Sequence, residues 1–313
     1  MSKIVVIGNG KMAIDCIKIM LERPAAELRL AVYDPKYAAP AARVSKLCED
    51  RGIPAVGRRN PNHPEVVERA TAIGADIIFN INSLRILKEK LLAVPRVGII
   101  NFHNAPLPLY GGVNIPSWAI INGETEHGVT WHFVDEGIDT GDIVAQRRFE
   151  ISNRETAISL NFKCIVEGIQ LFEETIDDLL SGNYERRPQA GESSYYSLKD
   201  VPNDGYVDFS WSFEKLDRFV RGLDFRPFEN TFTYPRVRCG DGEFIVNSLS
   251  RRDASMSGRA PGTLVTVEPG RLEVAIGDGV VGIDEAMDAE GEEIELDRLV
   301  ERYGLRAGDR LGG

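Results

Sequence analysis

The sequence predicts an α/β chain in two parts: a doubly wound, mostly parallel sheet covered by helices, followed by a smaller antiparallel β-barrel. Three observations lead there. Short apolar runs alternate with amphipathic helical stretches through the first half of the chain. A polar, irregular stretch then breaks the pattern, and short strands with close turn signals follow it. Finally, 313 residues suffice for two cores, since a chain of this size buries roughly 75% of its unfolded surface without metals or disulfides. The expected boundaries are a first domain over residues 1–183, a linker over 184–204 and a second domain over 205–313.

In chain order, Ile4 to Ile7 is a buried strand, and Gly8-Asn9-Gly10 turns it into a helix from about Met12 to Leu21. A strand from Leu28 to Tyr33 ends in Asp34. Gly-x-Gly-x-x-Ala after a first strand, with an acid closing the second, also fits the dinucleotide fingerprint, so an NAD-binding oxidoreductase is a competing reading. The same glycines serve a strand-to-helix turn that holds no ligand. A helix from about Ala41 to Arg51, a strand from Ile53 to Val56 and a helix from Pro64 to Ile73, with proline in its first turn, come next. Ala75 to Asn80 is the following strand, leading into Leu84-Arg85-Ile86-Leu87.

Reactive residue types concentrate between Gly98 and Ile143. Val97 to Ile100 reads as a buried strand that delivers Asn101 and His103 at its C-terminal end, the edge where open α/β sheets place ligands. Their i, i+2 spacing puts both side chains on one face. Pro106, Pro108, Gly111 and Gly112 then hold a loop over that edge. Val129 to Val134 is a second buried strand, and the acidic, glycine-punctuated stretch Asp135 to Asp142 can turn a carboxylate back toward His103. An amide, an imidazole and a carboxylate suit acyl transfer to an amine. The imidazole takes the proton of the attacking nitrogen, the amide N–H stabilises the oxyanion, and the carboxylate orients and charges the imidazole. The bland alternative is a strand-end amide and a core histidine satisfied by backbone. His132 is either a partner behind the site or a core histidine, and His127 is read as a solvated turn residue.

Asn114-Ile115-Pro116-Ser117-Trp118 leads into a short helix, and Asp142 to Phe149 forms another strand. Thr156 to Leu180 is a long helix whose buried face is expected to run through Ile158, Phe162, Ile165, Ile169, Phe172, Ile176 and Leu179. In the linker, Tyr195 and Tyr196 either stack on a substrate ring or pack on the domain. An amphipathic helix from about Ser212 to Gly222 opens the second domain. Strands are expected at Thr231 to Tyr234, Phe244 to Leu249, Thr263 to Val267, Leu272 to Ile276 and Val280 to Ile283, with Gly277-Asp278-Gly279 as a hairpin turn and a last helix from Glu295 to Tyr303.

A formal net charge of −11, from 48 acidic against 37 basic residues with no Lys/Arg run, argues against nucleic acid as a partner. The four cysteines are scattered outside any metal or redox spacing and read as reduced core thiols; no metal site is expected. No apolar stretch approaches 18 residues and the N-terminus lacks a secretory pattern, which points to a cytoplasmic protein with no membrane partner. Nothing marks an exposed apolar patch, leaving monomer and homodimer both open.

Asn101-x-His103 followed by Ala105-Pro106-Leu107-Pro108, a glycine-bearing loop and then Ile138-Asp139-Thr140-Gly141-Asp142-Ile143 resembles the folate-dependent formyltransferases. That group contains methionyl-tRNA formyltransferase, glycinamide ribonucleotide transformylase and the amino-sugar N-formyltransferases. The family pattern is Asn-x-His-x-Ser-Leu-Leu-Pro-x-x-x-Gly with a later Leu-Asp-x-Gly; the substituted Ala105-Pro106-Leu107 implies a reshaped loop beside the formyl group. Arg221 to Pro227 is similar to the opening of the family's C-terminal domain, so the resemblance spans nearly the whole chain.

The resemblance implies a Rossmann-like catalytic domain, an OB-like C-terminal barrel, and Asn101, His103 and Asp139 as the catalytic three. It further implies 10-formyltetrahydrofolate as formyl donor, held by Arg85, Ile86 and Leu87, within the segment beginning at Leu84, and by the turn of Asp135, Glu136 and Gly137. The acceptor is expected to be the primary amine of a small molecule. A nucleotide-linked amino sugar comes first, because Trp118 resembles that branch and residues 34–43 lack the basic, glycine-containing loop of the tRNA-acting members. An amino acid, free or carrier-bound, is the alternative.

Overall fold

The computed structural model describes residues 1–83, 85–252 and 258–312. Two units divide the chain: residues 1–112, 126–149 and 162–195 form the first, and residues 113–125, 150–161 and 196 onward the second.

The first unit is the Rossmann-like one. Strands β1 (Ser2–Gly8), β2 (Ala26–Tyr33), β3 (Ala55–Gly57), β4 (Ile77–Ile81) and β5 (Gly98–His103) alternate with helices α1 (Gly10–Leu21), α2 (Ala38–Asp50), α3 (Pro64–Ile73) and the short α4 (Glu89–Leu92). A two-residue strand β6 (Gly111–Gly112) follows, then helix α5 (Ile115–Asn122), which groups with the second unit, and strands β7 (Glu126–Phe133) and β8 (Ile143–Glu150). The sheet order is β3-β2-β1-β4-β5-β7-β8, parallel through β5 and antiparallel where β7 joins it. β1 and β4 are buried on both faces, which is why they read as continuous apolar runs.

Helix α6 (Ala157–Ser181) corrects one expectation. Its buried stripe runs through Leu160, Cys164, Leu171, Phe172, Ile176 and Leu179, while Phe162 is 47% exposed. Small residues decide the rotation, because they let the helix come close enough for the Trp131 indole N–H to reach the Gly168 carbonyl at 3.0 Å. Beyond α6, strand β9 (Tyr195–Tyr196) pairs with β6.

The second unit holds helix α7 (Phe213–Gly222) and an antiparallel sheet curled into a half-barrel. Its strands are β10 (Arg236–Cys239), β11 (Gly242–Arg252), β12 (Leu264–Glu268), β13 (Arg271–Ile276), β14 (Gly279–Met287) and β15 (Glu293–Ile294), in the order β10-β11-β14-β13-β12 with β15 on β14. Register shifts in the β11–β14 and β12–β13 pairs supply the bend. Leu216, Phe219 and Val220 of α7 pack into the core with Phe244, Val246, Val274 and Ile283, and helix α8 (Leu296–Tyr303) adds Leu299.

The strand expected at Thr231 to Tyr234 is a loop, and the pairing segment lies further on at β10. Asn230 is the reason. Its amide donates to the carbonyls of Leu223 and Thr233 and its oxygen accepts the Phe232 N–H, satisfying locally the backbone a ladder would have used, and Pro235 then interrupts the chain. All four cysteines are buried thiols, as expected. Among the described residues no helix is long and apolar enough to cross a membrane.

Candidate active site

β5 carries Asn101 and His103 inside the strand rather than just past it, and β7 lies antiparallel beside them with Asn101 opposite His132 and His103 opposite Thr130. His103 is buried, and its Nε2 lies 2.7 Å from the Tyr110 carbonyl. A carbonyl only accepts, so Nε2 carries the ring proton and Nδ1 is the free base. Nδ1 faces Asp139 Oδ2 at 3.6 Å. Burial pushes the imidazole below its ordinary 6.5, and the nearby His132 adds to this; Asp139 and the Tyr110 carbonyl pull the other way without overcoming it. His103 is therefore neutral at neutral pH and able to accept a proton.

Asp139 reaches the site through turn chemistry. Its φ is +57°, and the preceding turn is closed by Asp135, whose Oδ1 accepts the Gly137 N–H at 3.0 Å and the Thr140 hydroxyl at 2.7 Å. Gly141 is required next, since a Cβ there would sit 2.0 Å from the Phe133 carbonyl oxygen. Gln189 donates to the Asp139 and Gly141 carbonyls at 2.7 and 2.8 Å. Burial alone would raise the Asp139 carboxyl, but the His132 ring 3.6 Å away, the His103 ring and the Gly112 N–H at 2.9 Å outweigh it and hold it at about 2. The carboxylate is ionised.

His132 is buried between these groups. Its Nδ1 lies 2.8 Å from the Phe133 carbonyl, its Nε2 3.0 Å from Asn101 Nδ2 and 3.6 Å from Asp139 Oδ1. Asn101 Oδ1 in turn accepts from Asn80 Nδ2 at 2.7 Å. Asn101, His103 and Asp139 are thus drawn together around a second histidine. His127, expected in a solvated turn, is instead 1% exposed, because it lies inside β7 and donates from Nε2 to the Asn104 carbonyl at 2.8 Å. Burial drops its pKa to about 4.

The loop over this edge is pinned by residues outside any motif. Tyr110 and Gly111 donate their N–H groups to the Ser194 hydroxyl and carbonyl, each at 2.8 Å, and Gln146 donates to the Leu107 carbonyl at 2.8 Å. Gln189, Ser194 and Gln146 went unseen in the sequence, where they are ordinary polar residues far from their partners. Asn80 left a signal: an amide in an otherwise apolar strand.

Of the residues expected to hold the donor, Leu84 lies outside the described residues. Arg85 and Ile86 are exposed, whereas the Leu87 side chain is buried in the core and offers only backbone. Arg85, Ile86 and Lys88, with Arg59, Asn60 and Asn62, line a cleft of about 610 Å³. Asn62 braces it, donating to the Ile86 carbonyl at 2.9 Å and accepting the Lys88 N–H at 2.7 Å. Glu136 and Gly137 are exposed in their turn, and the Asp135 carboxylate is engaged in closing it.

The dinucleotide fingerprint is accounted for by packing. A Cβ on Gly8 would meet the Ile81 carbonyl at 2.4 Å, Asn9 Oδ1 accepts the Asp34 N–H, and Asp34 Oδ1 accepts the Lys36 N–H in its own turn. In the second unit, Trp118 stacks on Tyr196 with ring centroids 4.4 Å apart and 20° between the planes, and Tyr196 accepts from Asn122 at 2.8 Å; Tyr195, which groups with the first unit, is exposed. Trp118 and Tyr196 therefore pack on each other.

Residues 25–176 match the family model described as formyl transferase, and residues 201–304 match that of the formyl transferase C-terminal domain. Among solved structures, the chain is similar to the N-formyltransferase of Helicobacter canadensis in complex with folinic acid and dTDP-3-aminofucose, with a TM-score of 0.71 and 20% identity over 94% of this chain and 100% of that one. The sugar 3N-formyl transferase WlaRD, with dTDP and 5-N-formyl-THF, gives 0.69 and 21% over 92% and 98%. HypX of Aquifex aeolicus, with tetrahydrofolic acid, gives 0.63 and 18% over 88% of this chain but 47% of that longer one. At these identities the likeness is one of fold.

Proposed function

The chain belongs to the formyl transferase family, matching the models of both its domains, and from that premise we propose that it transfers the formyl group of 10-formyltetrahydrofolate to the primary amine of a nucleotide-linked amino sugar. The observation that carries this reading is the cluster in which half-buried Asn101 and Asp139 and buried His103 converge on buried His132. The division of labour that goes with it places the chemistry in residues 1–183, a linker in 184–204 and the barrel in 205–313.

As the amine nitrogen bonds to the formyl carbon, the carbonyl electron pair moves onto oxygen. Asn101 Nδ2 stabilises that charge with the N–H that His132 does not use. His103 Nδ1 takes the proton of the attacking nitrogen, and the imidazolium so formed faces the ionised Asp139. When the bond to the donor nitrogen breaks, that nitrogen receives the proton, leaving tetrahydrofolate and a formamide on the sugar. Arg59, Arg85 and Lys88 at the cleft suit the glutamate carboxylates of the donor.

Support for a sugar acceptor comes from the two similar proteins matched over nearly their whole lengths, which hold dTDP or a dTDP-amino sugar together with a folate. The test is folate release from 10-formyltetrahydrofolate, followed by absorbance, with separate pools of nucleotide-linked amino sugars and of amino acids with their thioesters. Turnover with the first pool is expected; turnover with the second alone would overturn the acceptor.

A further inference from the structure

We propose that Asn80 is a positioning residue for the oxyanion donor: it fixes which way the Asn101 carboxamide points. The proposal rests on the transfer reading above and deepens it. Asn80 stands in β4 opposite Asn101 of β5, is 4% exposed, and is flanked by Ile78, Phe79 and Ile81, all fully buried. An amide at such a position costs stability unless its hydrogen bonds are made. Only half are. Asn80 Nδ2 donates to Asn101 Oδ1 at 2.7 Å, while Asn80 Oδ1 is buried without a hydrogen-bond partner. A strand selected for packing alone would have an aliphatic side chain here.

The direction of every bond in this row follows from one end. The Phe133 carbonyl can only accept, so His132 Nδ1 carries the ring proton. The other ring nitrogen, Nε2, faces Asn101 Nδ2 at 3.0 Å, and since an amide NH₂ can only donate, Nε2 accepts. Asn101 Oδ1 is thereby turned to Asn80, which must answer with its own Nδ2. His132 and Asn80 thus hold the carboxamide from both ends, and the remaining Asn101 N–H is left for the oxygen that becomes charged. Removing Asn80 releases one end, and the amide can turn its oxygen where the N–H is needed.

The test is steady-state kinetics of Asn80→Ala, Asn80→Leu and Asn80→Asp beside the wild type, with thermal melting as a check on folding. The Ala and Leu variants should lose ~10-fold to 100-fold in kcat, short of the ~10² to 10³ for removing the donor itself, with KM for donor and amine changed little. In an Asn101→Ala background, Asn80→Ala should cost nothing more. The Asp variant supplies a donor only while protonated; ionised, it draws the Asn101 NH₂ toward itself. Its kcat relative to wild type should therefore rise as pH falls, the ratio cancelling any pH response common to both enzymes, in which His103, His132 and Asp139 face the same pocket. Wild-type kcat in Asn80→Ala, or an undiminished loss in the Asn101→Ala background, overturns the proposal. Should the wild type turn over neither amine pool, the transfer reading falls by itself. The Asn101 side-chain NH₂ resonances, assigned by their loss in Asn101→Ala, then decide: they shift in Asn80→Ala if Asn80 positions the amide, and an unmoved pair overturns it.

Discussion

Two regions of the first unit treat polar groups in opposite ways. Around Asn101 the buried side chains are held by one another and by backbone carbonyls at 2.7 to 3.0 Å, each orientation fixed by its neighbour. At the cleft beside Ile86, Arg59, Arg85 and Lys88 are exposed and, among the described residues, make no ion pair. Charge that appears only during a reaction must meet dipoles already in place, because water in the site would have to reorganise. A charge that a substrate brings with it is met well enough by solvated cations, which give up little hydration. Under the proposed transfer, chemistry and recognition fall on two different kinds of polar surface.

The strongest way to break that contrast is Asn101→Ala. Losing one oxyanion donor should lower kcat by ~10² to 10³ with the fold kept, as read by steady-state kinetics and circular dichroism; unchanged turnover would show that this cluster does no chemistry. Acid should next expose the cost of burying imidazoles. His127 is held at about 4 against an ordinary 6.5, so stability is full above 6.5 and is lost as pH falls toward 4, by about 3 kcal/mol from this residue. His103 pushes the same way, and Asp139 adds its loss below 3.8. Denaturant melts from pH 7 to 4 should show the slope, and His127→Phe should flatten it.

On the exposed side, Arg85→Ala with Lys88→Ala should raise KM for the formyl donor about 10-fold at low salt and leave kcat nearly alone, the difference shrinking at high ionic strength. A salt-independent loss of kcat would erase the distinction between the regions. The smallest expected effect is Ser194→Ala, which removes the hydroxyl that accepts the Tyr110 N–H and should cost about 1 kcal/mol, seen as a melting shift of roughly 2–4 °C.

The same contrast explains what the sequence made legible. Asn101, His103 and Asp139 declared themselves because strand alternation and turn chemistry act over a few residues. Gln189 and Ser194 did not, because their partners lie 50 and 84 positions away and nothing local marks the meeting, and Asn80 showed only as an amide in an apolar strand, its partner 21 positions on. Helix α6 was placed correctly but its rotation was misjudged at Phe162, since small residues rather than large ones set how close a helix can come. The loop at Thr231 to Tyr234 was hidden for a related reason. Strand-like side chains gave no warning that Asn230 would satisfy the backbone first.

Ser194 and Gln189 carry a consequence for how the chain can be cut. Both follow α6, in the stretch whose composition reads as a tether, yet one closes the loop before β6 and the other holds the turn that presents Asp139. A protease nicking residues 184–188 would leave both hydrophobic cores whole while freeing the ends of these two clamps. A fragment stopped at 183 would keep Asn101, His103 and Asp139 and lose the grip on two of the surfaces around them. The smallest self-sufficient version of this site therefore ends past Ser194, and the tether is its last wall.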